Sequence, residues 1–130
     1  MSEDTRLRSP LGRAMGLGSA KEGVMHWWAQ RVTAAALVPL GLWFVISIIA
    51  LTGADRGAVV AWLHAPFPAI VMVLTVIAVF YHMALGIQVV IEDYVHCEWI
   101  KISALVLNRL LSFALAVSAI FAVLRISFQG

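Results

Sequence analysis

A single histidine, His82, lies deep within an apolar segment long enough to cross a membrane. The segment ends eleven and twelve residues later in a carboxylate and a phenol, Asp93 and Tyr94. An ionisable side chain at membrane depth is costly, and it marks a functional site by default. Imidazole is a common metal ligand, so we expect His82 to bind a metal and the pair to form a second site nearer the water.

Small residues surround His82 on its own helical face. Ala78 and Gly86 lie four residues before and after it, so all three share one side of a helix. They leave a flat slot beside the imidazole, which suits a haem packed edge-on between helices. The same pattern is equally typical of close helix packing, in which His82 would only hydrogen-bond a neighbouring helix. The residues alone leave both interpretations open.

The second axial ligand of a six-coordinate b-type haem has no candidate in this chain. His26, His64 and His96 all fall near the predicted membrane interfaces, where a solvated or capping role is expected. The iron of such a haem would therefore need a ligand from another chain.

Of the polar pair at the end of the segment, Asp93 lies on the same side as His82 and Tyr94 about a third of a turn round from it. Asp93 returns to within about 20° of His82 around the helix, roughly 16 Å further along its axis. Tyr94 can donate a hydrogen bond to a quinone carbonyl, and Asp93 can orient an arginine or supply protons. Their alternatives are an aromatic residue at the lipid headgroups and a solvated helix end.

The composition is that of an integral membrane protein. Of the 130 residues, 62% are hydrophobic and 12% are charged, whereas soluble domains have about 45–50% and about 25%. Three apolar segments predict an all-α, antiparallel up-down-up bundle within a larger heteromeric bundle. The spans are expected at about 32–52, 68–92 and 102–124, with residues 1–30 as a loosely ordered or partner-bound cytoplasmic segment and 31–130 as the membrane domain. A short interfacial turn anchored by Trp62 is expected in the first connector.

The basic residues indicate topology and not nucleic-acid binding. Only Arg56 lies in the first connector, whereas five basic residues precede the first span: Arg6, Arg8, Arg13, Lys21 and Arg31. Positive residues stay in the cytoplasm, so the N-terminus and the polar pair are expected there. Arg31, at the start of the first span, and Arg109, in the third, are either snorkelling charges or clamps for a haem propionate or Asp93.

His82-Met83-Ala84-Leu85-Gly86 followed by Asp93-Tyr94-Val95 resembles the second helix of the small hydrophobic membrane anchors of succinate dehydrogenase, respiratory complex II. The stretch Gln30-Arg31-Val32-Thr33-Ala34 resembles the arginine-containing entry to their first helix. Length, three spans and topology agree, so the resemblance covers nearly the whole chain.

The resemblance implies one haem b shared with the other membrane anchor of complex II, with His82 as an axial ligand of the iron. It implies that Tyr94 binds ubiquinone with support from Asp93, and it leaves Arg31 as a partner of a haem propionate or of the quinone site. A flavoprotein and an iron–sulfur subunit would oxidise succinate, so the chain would not be catalytic alone. The expected location is the bacterial inner membrane. A fumarate reductase anchor and a haem-free structural or assembly protein are the alternatives.

Overall fold

The computed structural model describes residues 10–129, with side chains from residue 23 onward. This part of the chain forms four helices and no strand: α1 Pro10–Ala50, α2 Arg56–His64, α3 Pro66–Tyr94 and α4 Glu98–Gln129. The predicted all-α class is therefore confirmed.

Three of the helices are long and apolar enough to cross a membrane. These stretches are Gly23–Ala50, Pro66–Tyr94 and Glu98–Gln129, with 28, 29 and 32 residues. At a rise of about 1.5 Å per residue, each exceeds a hydrocarbon core about 30 Å thick. The prediction of a three-span, multi-pass membrane protein is confirmed.

The first helix begins earlier than we expected. Loosely ordered or partner-bound chain was expected up to Gln30, whereas α1 begins at Pro10. Extending an existing helix is far easier than nucleating one, and even glycine costs only about 1 kcal/mol relative to alanine. Arg6 and Arg8, which contribute to the topology prediction, lie outside the described residues, as do the side chains of Arg13 and Lys21.

The connector between α1 and α3 contains a short helix where a turn was expected. Gly53 has a φ of 81°, a conformation that glycine adopts without strain. Asp55 then caps α2, because its side chain accepts a hydrogen bond from the Ala58 N–H at 2.8 Å. Trp62 stacks on Trp43 of α1, with ring centroids 5.6 Å apart, and so ties the short helix to the first span.

The central helix of the bundle is α3. Both α1 and α4 pack against it, whereas α1 and α4 do not pack against each other over the described chain. The contact with α4 includes a hydrogen bond between helices, in which Asn108 Nδ2 donates to the Ala84 carbonyl oxygen at 2.9 Å. Ser112 Oγ in turn donates to Asn108 Oδ1 at 3.4 Å. The Asn108–Ala84 bond fixes the register of α4 on α3, and Ser112 supports the Asn108 side chain from within α4.

Replacing Asn108 by leucine is expected to loosen this contact. Leucine keeps a similar volume but removes the donor to Ala84, and a hydrogen bond between membrane helices contributes roughly 0.6–2 kcal/mol. The midpoint of thermal unfolding should fall by about 2–8 °C. Ser118→Ala is the control, because the Ser118 hydroxyl donates within its own helix to Ala114 at 2.7 Å. Equal midpoints for the two variants would contradict the role of Asn108.

Few side chains of residues 23–129 are buried, and those that are lie in α2, α3 and α4: Leu63, Pro68, Ala69, Thr75, Ala78, Leu85 and Ser112. Large apolar side chains of all three spans face outward. Such a surface is stable against lipid or other membrane helices and not in water. The chain therefore offers broad apolar faces to the bilayer and to partner proteins.

Candidate functional site

His82 lies near the middle of α3 and is half-buried. Its Nδ1 is 2.9 Å from the hydroxyl oxygen of Thr33 on α1. Ala78, one turn before His82, is buried. One ring nitrogen is thus engaged by α1, and the imidazole is held between two helices of the same chain.

The small-residue face of α3 is partly covered by α1. A Cβ added to Gly86 would lie 3.9 Å from Nε2 of Gln30, which is ordinary van der Waals contact. Gln30 of α1 therefore lies close to α3 at Gly86, one turn beyond His82. Gln30 and Thr33 of α1 therefore lie on the face of α3 where the slot was expected.

These contacts also set the register of α1 on α3. Thr33 of α1 lies beside His82 of α3. Gln30, three residues before Thr33 on α1, lies beside Gly86, four residues after His82 on α3. The two helices are therefore antiparallel, and each step back along α1 corresponds to about one step forward along α3. We call position along the α3 axis depth.

Arg31 directly precedes the predicted first span, and the register of α1 on α3 places it opposite the middle part of α3. It is two residues from Thr33, so its backbone is within about 3 Å of the depth of His82. Its guanidinium carbon lies 5.3 Å from the centroid of the Trp27 ring, a cation–π contact. A cation at this depth requires compensation by an anionic or polar partner.

Arg109 reaches a similar depth on another side of α3. Its neighbour Asn108 is hydrogen-bonded to the Ala84 carbonyl, and Arg109 itself lines an open, mostly apolar groove of about 620 Å³ between α3 and α4. Asp93 is nine residues beyond Ala84, or about 13 Å along the axis. That separation exceeds the reach of an Arg109–Asp93 ion pair.

The helix α3 continues without interruption from His82 to Tyr94. The distance between these two residues is therefore that of a continuous helix. Tyr94 lies about 18 Å from His82 along the axis. The Tyr94 side chain is 77% exposed, and Asp93 is also exposed. The phenol and the carboxylate are therefore open to a ligand or a partner protein at one end of α3.

Two polar atoms of α1 are buried without a hydrogen-bond partner among the described residues, His26 Nε2 and Gln30 Oε1. We expected His26 to be solvated or capping, but it is half-buried, and its Nε2 atom is buried. With Thr33, these residues form a polar stripe along α1 at the spacing of one helical face. Buried polar groups are normally hydrogen-bonded. Further hydrogen bonds to the side chains of this stripe would therefore stabilise the chain.

No three side chains of His, Cys, Asp or Glu come together as a metal cluster in residues 23–129. A haem iron needs only one or two protein ligands, so His82 is the group to consider for such a metal. His64 and His96 are both exposed, in keeping with their expected positions near the interfaces.

Thr33 and Gln30 were not predicted as site residues. Thr33 meets a histidine 49 positions away in the chain, and sequence spacing carries no information about such a contact between helices. One weak signal was present. Polar side chains at His26, Gln30 and Thr33 share one face of an otherwise apolar helix, and such a stripe is typical of a face packed against a neighbour.

Three apolar helices, with a half-buried histidine in the second and an exposed acid–phenol pair at its end, define the chain as a multi-pass membrane subunit. Residues 5–124 match the model of the succinate dehydrogenase/fumarate reductase transmembrane subunit family. The chain belongs to this family, and it is a membrane-anchor subunit.

The most similar relatives include three proteins from different organisms. A succinate dehydrogenase hydrophobic membrane anchor subunit of Rickettsia bellii is 36% identical over 116 residues, covering 89% of this chain and 93% of the relative. The Paracoccus denitrificans protein of the same description is 33% identical over 120 residues, covering 92% of each. A succinate dehydrogenase membrane anchor subunit of Reclinomonas americana is 33% identical, covering 71% of this chain and 79% of the relative. No solved structure matches the chain significantly.

Proposed function

We propose that this chain anchors a succinate dehydrogenase in the membrane, holds one haem b together with the second membrane anchor of the complex, and contributes to the site of ubiquinone reduction. The observation that carries the proposal is the position of His82, half-buried near the middle of a membrane-spanning helix with one nitrogen engaged by Thr33. The names of the relatives favour succinate dehydrogenase over fumarate reductase.

The residues around His82 fit half of a haem site. His82 supplies one nitrogen ligand, and the small residues Ala78 and Gly86 limit crowding on its face of α3. The second ligand comes from the other membrane anchor, because His64 and His96 are exposed and His26 lies well towards the Tyr94 end of α3. When bound, a haem accepts and releases one electron at a time.

The two arginines at the depth of Ala84 support a site for an anionic cofactor. Arg31 on α1 and Arg109 on α4 both lie within about 3 Å of the depth of His82 along the axis. Haem carries two propionates, and arginine binds carboxylates through paired hydrogen bonds. Arg31 is the better propionate partner, because it belongs to the helix that contacts His82. The depth of Arg31, about 13 Å from that of Asp93, disfavours its alternative role at the quinone.

The quinone contact is assigned to Tyr94, with Asp93 in support. Tyr94 ends α3 and is 77% exposed, so its phenol is free to donate a hydrogen bond to a quinone carbonyl. Asp93 precedes it on the same turn and can position a basic group of a partner or pass a proton. The same helix thus carries a group for the haem and a group for the quinone.

The soluble chemistry is assigned to partners. The relatives are named as membrane anchors of succinate dehydrogenase, so a flavoprotein and an iron–sulfur subunit would oxidise succinate and deliver electrons. The N-terminus and the Asp93–Tyr94 end of α3 face the cytoplasm in a bacterial inner membrane, following the excess of basic residues before the first span.

The experiment is a reduced-minus-oxidised absorption spectrum of the purified complex with all its partners. His82→Ala should abolish the b-type signal, because it removes the ligand without adding bulk. His64→Ala is the control, since His64 is exposed on α2, and its spectrum should match that of the unmodified complex. A full signal in His82→Ala would overturn the haem assignment, and an unmodified complex without a b-type signal would favour a haem-free structural anchor.

A further inference from the structure

We propose that Thr33 is a positioning residue that holds His82 with its proton on Nδ1 and thereby presents the lone pair of Nε2. The proposal rests on the haem role of His82 and names the atom that binds and the residue that selects it. Its basis is a set of three short contacts around one hydroxyl group.

The Thr33 hydroxyl oxygen lies 2.7 Å from the Ala29 carbonyl oxygen, 3.1 Å from the Gln30 carbonyl oxygen and 2.9 Å from His82 Nδ1. A hydroxyl has one proton to donate, and both carbonyls can only accept. The shortest contact therefore takes the proton, in the backbone bond that threonine commonly makes within helices. The lone pairs of the hydroxyl remain for His82.

The opposite arrangement is disfavoured by the same distances. If the Thr33 hydroxyl donated to His82, its oxygen would face the Ala29 carbonyl oxygen at 2.7 Å with no proton between them. Two oxygen lone pairs at that separation repel. The His82 Nδ1–H must then donate to Thr33, and the neutral ring carries its lone pair on Nε2.

This arrangement matches what a metal-binding imidazole needs. Histidine ligands commonly donate their second ring N–H to an oxygen, which fixes the tautomer and the ring orientation and raises the basicity of the ligating nitrogen. Thr33 is itself fixed, because its back-bond to Ala29 selects one rotamer. The position of the His82 ring is thus set by α1 as well as by α3.

The test compares Thr33→Val with Thr33→Ser in the purified complex. Valine keeps the shape but removes the hydroxyl, whereas serine keeps the hydroxyl and its back-bond. Thr75→Val is the matched control, because the buried Thr75 hydroxyl makes the same 2.7 Å back-bond, to Val71, and belongs to α3 itself. The readouts are haem content per complex, the haem midpoint potential from a redox titration, and co-purification of the partner proteins.

Thr33→Val is expected to weaken haem retention by about 10- to 100-fold and to raise the midpoint potential, since a less basic ligand stabilises the oxidised iron less. Thr33→Ser should restore both values. If Thr33→Val has the same haem content and midpoint potential as Thr75→Val, the role of Thr33 is overturned. This holds even if His82→Ala loses its haem. Haem retained in His82→Ala would instead overturn the proposed function and this inference with it.

Discussion

Replacing Tyr94 by phenylalanine is expected to slow quinone reduction by about 100-fold while the complex still assembles. The substitution keeps the ring and its apolar contacts and removes only the phenolic hydroxyl. Reduction places negative charge on the quinone oxygen, so a hydrogen bond donated to it strengthens as the reaction proceeds. Because Tyr94 is 77% exposed, the lost hydroxyl leaves no buried group of this chain unpaired, and folding should be unaffected.

The measurement separates the quinone site from the rest of electron transfer. Succinate-driven reduction of a short-chain ubiquinone should fall, whereas reduction of an artificial acceptor that takes electrons before the quinone should not. Tyr81→Phe is the control, because Tyr81 belongs to the same helix but lines the groove between α3 and α4. Equal quinone rates for the two variants would remove Tyr94 from the site.

The helices were largely predictable because membrane spans are dictated by apolar length. A stretch of about 20 apolar residues suffices to cross the hydrocarbon core, and its backbone must be helical there. The depth of His82 and its separation from Tyr94 follow from helical rise within one element. The ends were less predictable, as the early start of α1 at Pro10 illustrates, because helix extension into polar chain costs little.

The contacts between helices could not be predicted in the same way. The register of α1 on α3 depends on how Thr33, Gln30 and Gly86 fit together, and no periodicity within one helix encodes it. That register places Arg31 at the depth of Ala84. Of the two roles that the sequence left open for Arg31, this depth favours a partner for a buried anion over a snorkelling charge.

Replacing Gly86 by leucine is expected to separate α1 from α3 and to release the haem. In a helix, a leucine side chain points back over the preceding turn, so at this position it would extend toward His82 and the Gln30 amide. Overpacking of this kind costs about 1–3 kcal/mol. We expect the substitution to break the Thr33–His82 contact, since the added carbons would compete with Gln30 for the space between the two helices.

Gly86→Ala separates the effect of bulk from the loss of glycine. Its Cβ would lie 3.9 Å from Gln30 Nε2, an ordinary contact, and alanine gains about 1 kcal/mol of helix propensity. The complex should therefore keep its haem and its thermal stability. Gly41→Leu controls for added bulk in a span, because nothing lies within 4 Å of a Cβ placed there. If Gly86→Leu keeps as much haem and as high an unfolding midpoint as Gly41→Leu, then α1 does not pack closely on α3 at Gly86.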